Sequence, residues 1–233
     1  HLVGEDDALA AAEGDAGLSL AARLATSAPD DEVRVSLFEA LGESLIGPPL
    51  ECAPGELLAH VNALWENETT RARLAGVAVR LGHATALDWV RERALDTGAP
   101  ESDRIQAIEL LAAVGSHEVV SPLLAMALHD AQSNVRVAAM RGLVRFDDPQ
   151  IRDAVITKYA DLDPSLQSAA REVLFSRADW ALTFLRGVEE GRVSPTDVPT
   201  DELARLALHE RDDLDELIQK HWGKIGAATP EER

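Results

Sequence analysis

Residues 130–149, DAQSNVRVAAMRGLVRFDDP, decide how the rest of the chain is read. Val135, Ala139, Leu143 and Phe146 recur at i, i+4, i+8 and i+11, which is one face of a helix. Arg136, Arg141 and Arg145 lie in the same stretch, and acids bracket it. Three arginines this close either form a surface for an anion or belong to a unit that recurs along the chain. The remaining sequence favours recurrence.

DEVRVSLFEALG (31–42) places Arg34 where Arg136 sits, TTRARLAGVAVRLG (69–82) places Arg71 there, and SDRIQAIELLAAVG (102–115) places Arg104. SLQSAAREVLFS (165–176) has Gln167 in that slot. Successive anchors are about 31 to 37 residues apart, the spacing of helical solenoid repeats. The apolar register follows the anchors: Val33, Leu37 and Leu41, then Leu74, Ala78 and Leu81, then Ala107, Leu111 and Val114. Between these helices lies a second amphipathic set at 56–66, 85–95, 119–129 and 151–161. Short loops with Gly, Pro, Asp or Ser separate them. Each unit is therefore a helix pair that buries its apolar face only by stacking on its neighbours.

The chain has 233 residues, 46% hydrophobic but only 4% aromatic, a balance that suits close-packed helices better than a β-sandwich. Its formal charge is −19, from 41 acidic and 22 basic residues. Phosphate neutralisation draws on Lys and Arg, so this charge argues against a nucleic-acid reader and against an anionic membrane surface. A charged partner would be a basic protein. Cys52 is the sole cysteine, which rules out an intrachain disulfide, and no apolar run reaches the length of a membrane span. The chain opens at His1 with no signal peptide, which reads as an internal piece of a longer protein, expected to be a monomer in isolation.

An acid or amide near a turn, then Val-Arg and an Ala/Leu helix, resembles the HEAT-repeat family in its short, PBS-lyase-like variant, over roughly residues 16 to 177. The resemblance implies an all-α fold: an ARM-like, right-handed superhelix of stacked antiparallel helix pairs. It also implies a structural ladder in which Arg34, Arg71, Arg104 and Arg136 each meet an acid or a carbonyl of the adjoining unit. The candidate acids are Asp30 or Asp31 for Arg34, Glu68 for Arg71, Asp103 or Glu101 for Arg104, and Asp130 for Arg136. Arg141 and Arg145 share a face four residues apart and read as solvated charge.

The repeat array is expected over 1–177, with 1–15 as the remnant of a repeat. A divergent, capping segment is expected over 178–233, where the anchor fades and a turn-rich link at 191–202 leads to helices near 201–210 and 212–222. In that segment Leu185, Val188, Gly191, Val193, Asp197 and Val198, then Leu206, His209, Asp212, Trp222, Gly223, Thr229, Pro230 and Glu231, follow a particular pattern. It is similar to the end of the HEAT region in planctomycete and verrucomicrobial membrane-bound dehydrogenase-like proteins. That resemblance implies an upstream β-propeller, a downstream c-type cytochrome domain and a periplasmic or cell-surface location. No Cys-x-x-Cys-His occurs here, so haem c is implied only for the downstream domain and no cofactor for this segment. The segment would be a non-enzymatic scaffold between two redox domains.

Apparent motifs of chemistry fall short. HEVVS (117–121) lacks the second histidine of a zincin, GLSLA (17–21) lacks the second glycine of a nucleophile elbow around Ser19, and Leu166 occupies the glycine position of a calcium loop begun at Asp161. HERDD (209–213) reads as helix-end solvation. The Asn67-Glu68-Thr69 sequon carries weight only on a eukaryotic secretory route. His60 and His83 would meet a metal only if stacking aligned them, and Trp65, Trp89, Trp180 and Trp222 read as packing residues. Two other readings stand beside the scaffold. One is a HEAT-like enzyme: an alkylpurine DNA glycosylase is disfavoured by the acidity, whereas a bilin lyase would reveal itself by binding a tetrapyrrole. The other is an acidic mimic occupying a basic partner's site.

Overall fold

The computed structural model describes residues 16–45, 49–50 and 52–223. The described residues are all-helical. They fall into two compact units, the first ending at Ser116 and the second beginning at His117. Residues 1–15, expected as the remnant of a repeat, lie outside the described residues. The sequence boundary at 177/178 falls within the second unit.

In the first unit the helices are α1 (residues 16–27), α2 (Asp31–Ser44), α3 (Gly55–Trp65), α4 (Glu68–Arg80), α5 (Ala86–Leu95) and α6 (Glu101–Val114). Two of them, α2 and α4, begin at a side-chain cap. The Asp30 carboxylate accepts the Val33 N–H, and the Asn67 side chain accepts that of Thr69. Gly115 ends α6 at φ 73°, a left-handed conformation that costs glycine nothing. Odd- and even-numbered helices alternate in role. α4 packs on α3 and α5, its neighbours in sequence, and also on α2 and α6, its counterparts one repeat before and after. α2 and α4 approach so closely that a Cβ on Gly42 would lie 3.0 Å from the Val77 backbone nitrogen.

The second unit opens with a 3-10 turn, His117–Val119. It continues with α7 (Val120–His129), α8 (Ser133–Gly142), α9 (Pro149–Lys158), α10 (Pro164–Leu174), α11 (Ala178–Glu189), α12 (Thr200–Leu206) and α13 (Asp212–Trp222). Asp148 and Asp163 cap α9 and α10, and each is followed by a proline in the first turn, where a missing N–H costs nothing. α7 packs on α8 and α9, α8 on α10, and α11 on α13, the same alternation of sequence neighbours and next-but-one counterparts.

The register residues of the inner repeats are buried: Leu74, Ala78 and Leu81; Ala107, Leu111 and Val114; Val135, Ala139, Leu143 and Phe146. Each large side chain so buried contributes about 1.5–3 kcal/mol. The first repeat departs from the expected register. Val35 and Phe38 are its buried residues, Leu37 and Leu41 are half-buried, and Val33 is 46% exposed. Val135, in the matching slot of α8, is fully buried. The described residues hold no helix pair ahead of α1 and α2 to cover Val33. No helix among them is long and apolar enough to cross a membrane.

Candidate functional site

The last four carbonyls of a helix have no partner within it and carry the negative end of its dipole, so a cationic donor there is doubly favourable. The anchor arginines meet this need. The Nε–H of Arg34 donates to the Ala25 carbonyl at 3.0 Å, that of Arg71 to Trp65 at 2.9 Å, that of Arg104 to Ala94 at 3.1 Å, and that of Arg136 to Ala127 at 3.3 Å. Gln167, in the fifth slot, donates its amide to the Tyr159 carbonyl at 3.2 Å. Each donor sits on an even-numbered helix or its start, and each acceptor lies at the end of the helix or turn just before it.

The acids sort differently from the sequence expectation. Arg34 does pair with Asp31, while Asp30 serves as the cap. Arg71 turns to the Trp65 carbonyl and lies 5.7 Å over the Trp65 ring, and Glu68 makes no pair with it among the described residues. Asp103 pairs with Arg93 on α5, and buried Arg104 donates to the Ala94 carbonyl. Arg136 meets Asp163, at 3.6 Å. The reason is common to these cases: an orphan carbonyl at the end of the preceding helix fixes the guanidinium, and its remaining N–H groups take whichever acid that position brings close. Arg141 is exposed, as expected of solvated charge, and also forms a two-point contact with Glu172, at 3.2 and 3.4 Å. Arg145 is exposed.

Further side chains connect residues one repeat apart, and sequence reasoning missed them. Arg73 donates to both Glu39 oxygens at 2.6 Å and to Glu32 at 2.8 Å. The hydrogen bonds from Arg73 hold the Glu39 carboxyl below the usual carboxylate range. In the second unit Arg171 grips Glu202 at 2.6 and 2.9 Å and donates to the Tyr159 hydroxyl at 2.7 Å. Burial works against the charge on Arg171, and the bonds to Glu202 and Tyr159 outweigh it, so its pKa stands above the ordinary guanidinium value. Burial also pushes the Tyr159 phenol up. These pairs are separated by 34 and 31 residues, so the repeat length itself was the available signal.

A depression runs over α2, α4 and α6. Its wide part, about 710 Å³, is bordered by Glu39, Glu43, Arg73, Arg80 and Glu109. A narrower pocket of about 100 Å³ between Ala72, Ala75, Trp89 and Ala107 adjoins it. Gly76, Gln106 and Leu110 border both parts. Nothing in this depression resembles a nucleophile with its base. It presents carboxylates, the Arg73 guanidinium held by two of them, a buried Arg80 that donates to the Gly76 carbonyl, and a small apolar recess.

The histidines and tryptophans have local partners. His60 Nε2 meets Thr26 Oγ1 at 3.1 Å, and His83 lies against Trp65, with ring centroids 4.7 Å apart. Burial lowers the His83 pKa. Trp65 and Trp180 are buried, and Trp222 donates to the Pro195 carbonyl at 2.9 Å. Among the described residues no three His, Cys, Asp or Glu side chains assemble as metal ligands. Most of the patterned C-terminal residues are packing residues. Leu185, Val188, Val193, Val198 and Leu206 are buried, His209 donates to the Phe175 carbonyl at 2.8 Å, and Gly191 turns the chain at φ 76°. Thr229, Pro230 and Glu231 lie outside the described residues.

No family model matches the chain, and no curated protein matches it.

Proposed function

We propose that the chain is a HEAT-type α-solenoid segment that acts as a non-enzymatic scaffold for protein–protein or interdomain contacts. The carrying observation is the recurrence of side-chain contacts at one repeat length. Arg73–Glu39 spans 34 residues, Arg141–Glu172 and Arg171–Glu202 span 31 each, and Lys220–Glu189 spans 31. Together with five donors that each tie a helix to the end of the one before it, these contacts support a reading of helix pairs repeated in sequence order. A stack of that kind offers an extended binding surface rather than a closed active site. The C-terminal pattern further supports placement in an exported dehydrogenase-like protein, between a propeller and a haem-c domain.

Two experiments test this. Small-angle scattering of the isolated chain should give a radius of gyration above the roughly 17 Å of a compact domain of this length. A value at or below that figure removes the solenoid. Reading the coding sequence on both sides, then titrating each flanking domain into this segment by calorimetry, tests the scaffold role. Salt-sensitive association with a propeller or cytochrome domain is the expected result. Flanks of other kinds remove the redox placement, and flanks that do not associate remove the interdomain role.

A further inference from the structure

We infer that the depression over α2, α4 and α6 receives a basic amphipathic segment of a partner protein, with one large apolar side chain entering the recess beside Trp89. The inference rests on the scaffold reading and gives the partner its chemistry. Three features of the depression carry it.

The first is charge. The arginines at its edge are already engaged: Arg73 by Glu39 and Glu32, Arg93 by Asp103, and the buried Arg80 by the Gly76 carbonyl of its own helix. Glu43 and Glu109 also border it, are exposed, and make no hydrogen bond or ion pair among the described residues. The uncommitted charge is therefore negative, on a chain of formal charge −19, and a cationic partner complements it.

The second is the floor. Gly76 lies inside α4, where glycine is a poor helix former, and a Cβ built there meets no heavy atom within 4 Å. The slots matching Gly76 in α2 and α6 hold Glu39 and Glu109. The missing side chain opens a saddle between two acids, joining the wide part to the recess. The third feature is the recess itself. Ala72, Ala75, Ala107 and Leu110 line it, and the half-buried Trp89 flanks it, which suits an apolar anchor. An anchor on one face and cations on the other is the pattern of a helix laid in a groove.

The probe is a labelled, amidated Lys/Leu/Trp peptide with one apolar and one cationic face, read by fluorescence anisotropy at roughly 50 and 300 mM salt. Its control carries Glu in place of every Lys. The expected result is salt-weakened binding of the cationic peptide and none of the control. Gly76→Leu fills the saddle, and Glu43→Lys with Glu109→Lys reverses the charge. Each should weaken binding about tenfold or more. Both variants alter open positions, and a melting curve checks their folding. Failure of the cationic peptide to bind, or equal binding by wild type and both variants, overturns the inference. The flanking-domain titration separates the two readings. Association that survives Gly76→Leu and the charge reversal keeps the scaffold and removes this site, whereas no association of wild type with either flank removes the scaffold.

Discussion

Arg73 in the first unit and Arg171 in the second each reach about one repeat length along the chain to grip a glutamate with two nitrogens. Their surroundings differ. The Arg73 side chain is 34% exposed, as is that of Glu39, whereas Arg171 is 6% exposed and Glu202 17%. Water can replace either partner of the first pair at little cost. It cannot do so for the second, where Tyr159 and Glu202 satisfy a guanidinium withdrawn from solvent. The same chemistry therefore shapes the wall of an open depression in one unit and ties α12 to α10 in the other. Geometry alone does not rank two ion pairs; their access to water does.

The comparison breaks most visibly at Glu202. Glu202→Ala strands a buried charge, and urea denaturation should register a loss of about 3–5 kcal/mol. Replacing both partners, with Arg171→Met and Glu202→Leu, should cost much less, because no charge is left uncompensated. If the single and double replacements cost the same, the pair is not acting as a buried pair.

Arg104 should come next. It is 1% exposed and donates to the Ala94 carbonyl, so Arg104→Ala loses about 1.5–3 kcal/mol, the range for a hydrogen bond from a charged group. Arg34→Ala, at a half-buried position with the same type of acceptor, should lose less in the same assay. Two glycines sharpen the first unit further. Gly76→Ala places its Cβ in open space and should stabilise α4 by about 0.5–1 kcal/mol, whereas Gly42→Ala meets the Val77 backbone and should lower the melting temperature.

The smallest effect belongs to Arg73. Glu39 is held below its ordinary value of 4.5 by the hydrogen bonds from Arg73. Its contribution is therefore complete above that pH and is lost as pH falls through the lowered value. Asp103 behaves likewise through Arg93, and Asp213 through Arg211. Arg73→Met should lower the melting temperature slightly at pH 7, by an amount that shrinks as pH falls below about 4.5, so that its acid limb is shallower than that of the wild type. An unchanged acid limb would show that the Arg73–Glu39 contact is not maintained in solution.

Helices and the anchor slots were legible because each leaves a local mark: a 3.6-residue period, and an anchor residue every 31 to 37 positions. The acceptors for Arg71 and Arg104 were not, since a main-chain carbonyl has no letter in the sequence. Arg141 is solvated as expected, but its partner Glu172 went unseen because it lies 31 residues away, whereas local charge rules look three or four residues along. The depression was also invisible. It depends on Gly76 lying between Glu39 and Glu109 in adjacent helices, a coincidence of three repeats that no single stretch displays.

The five donors of the ladder reach the carbonyls of Ala25, Trp65, Ala94, Ala127 and Tyr159, across sequence gaps of 9, 6, 10, 9 and 8 residues. A bond to the main chain asks nothing of the acceptor's side chain, and these gaps show that it tolerates a connecting loop of changing length. Gln167 shows that even the donor is exchangeable, provided an N–H can span the turn. A lineage built this way can rewrite most of its letters while the joints between its paired helices hold. Its members can diverge beyond recognition by sequence long before the architecture fails.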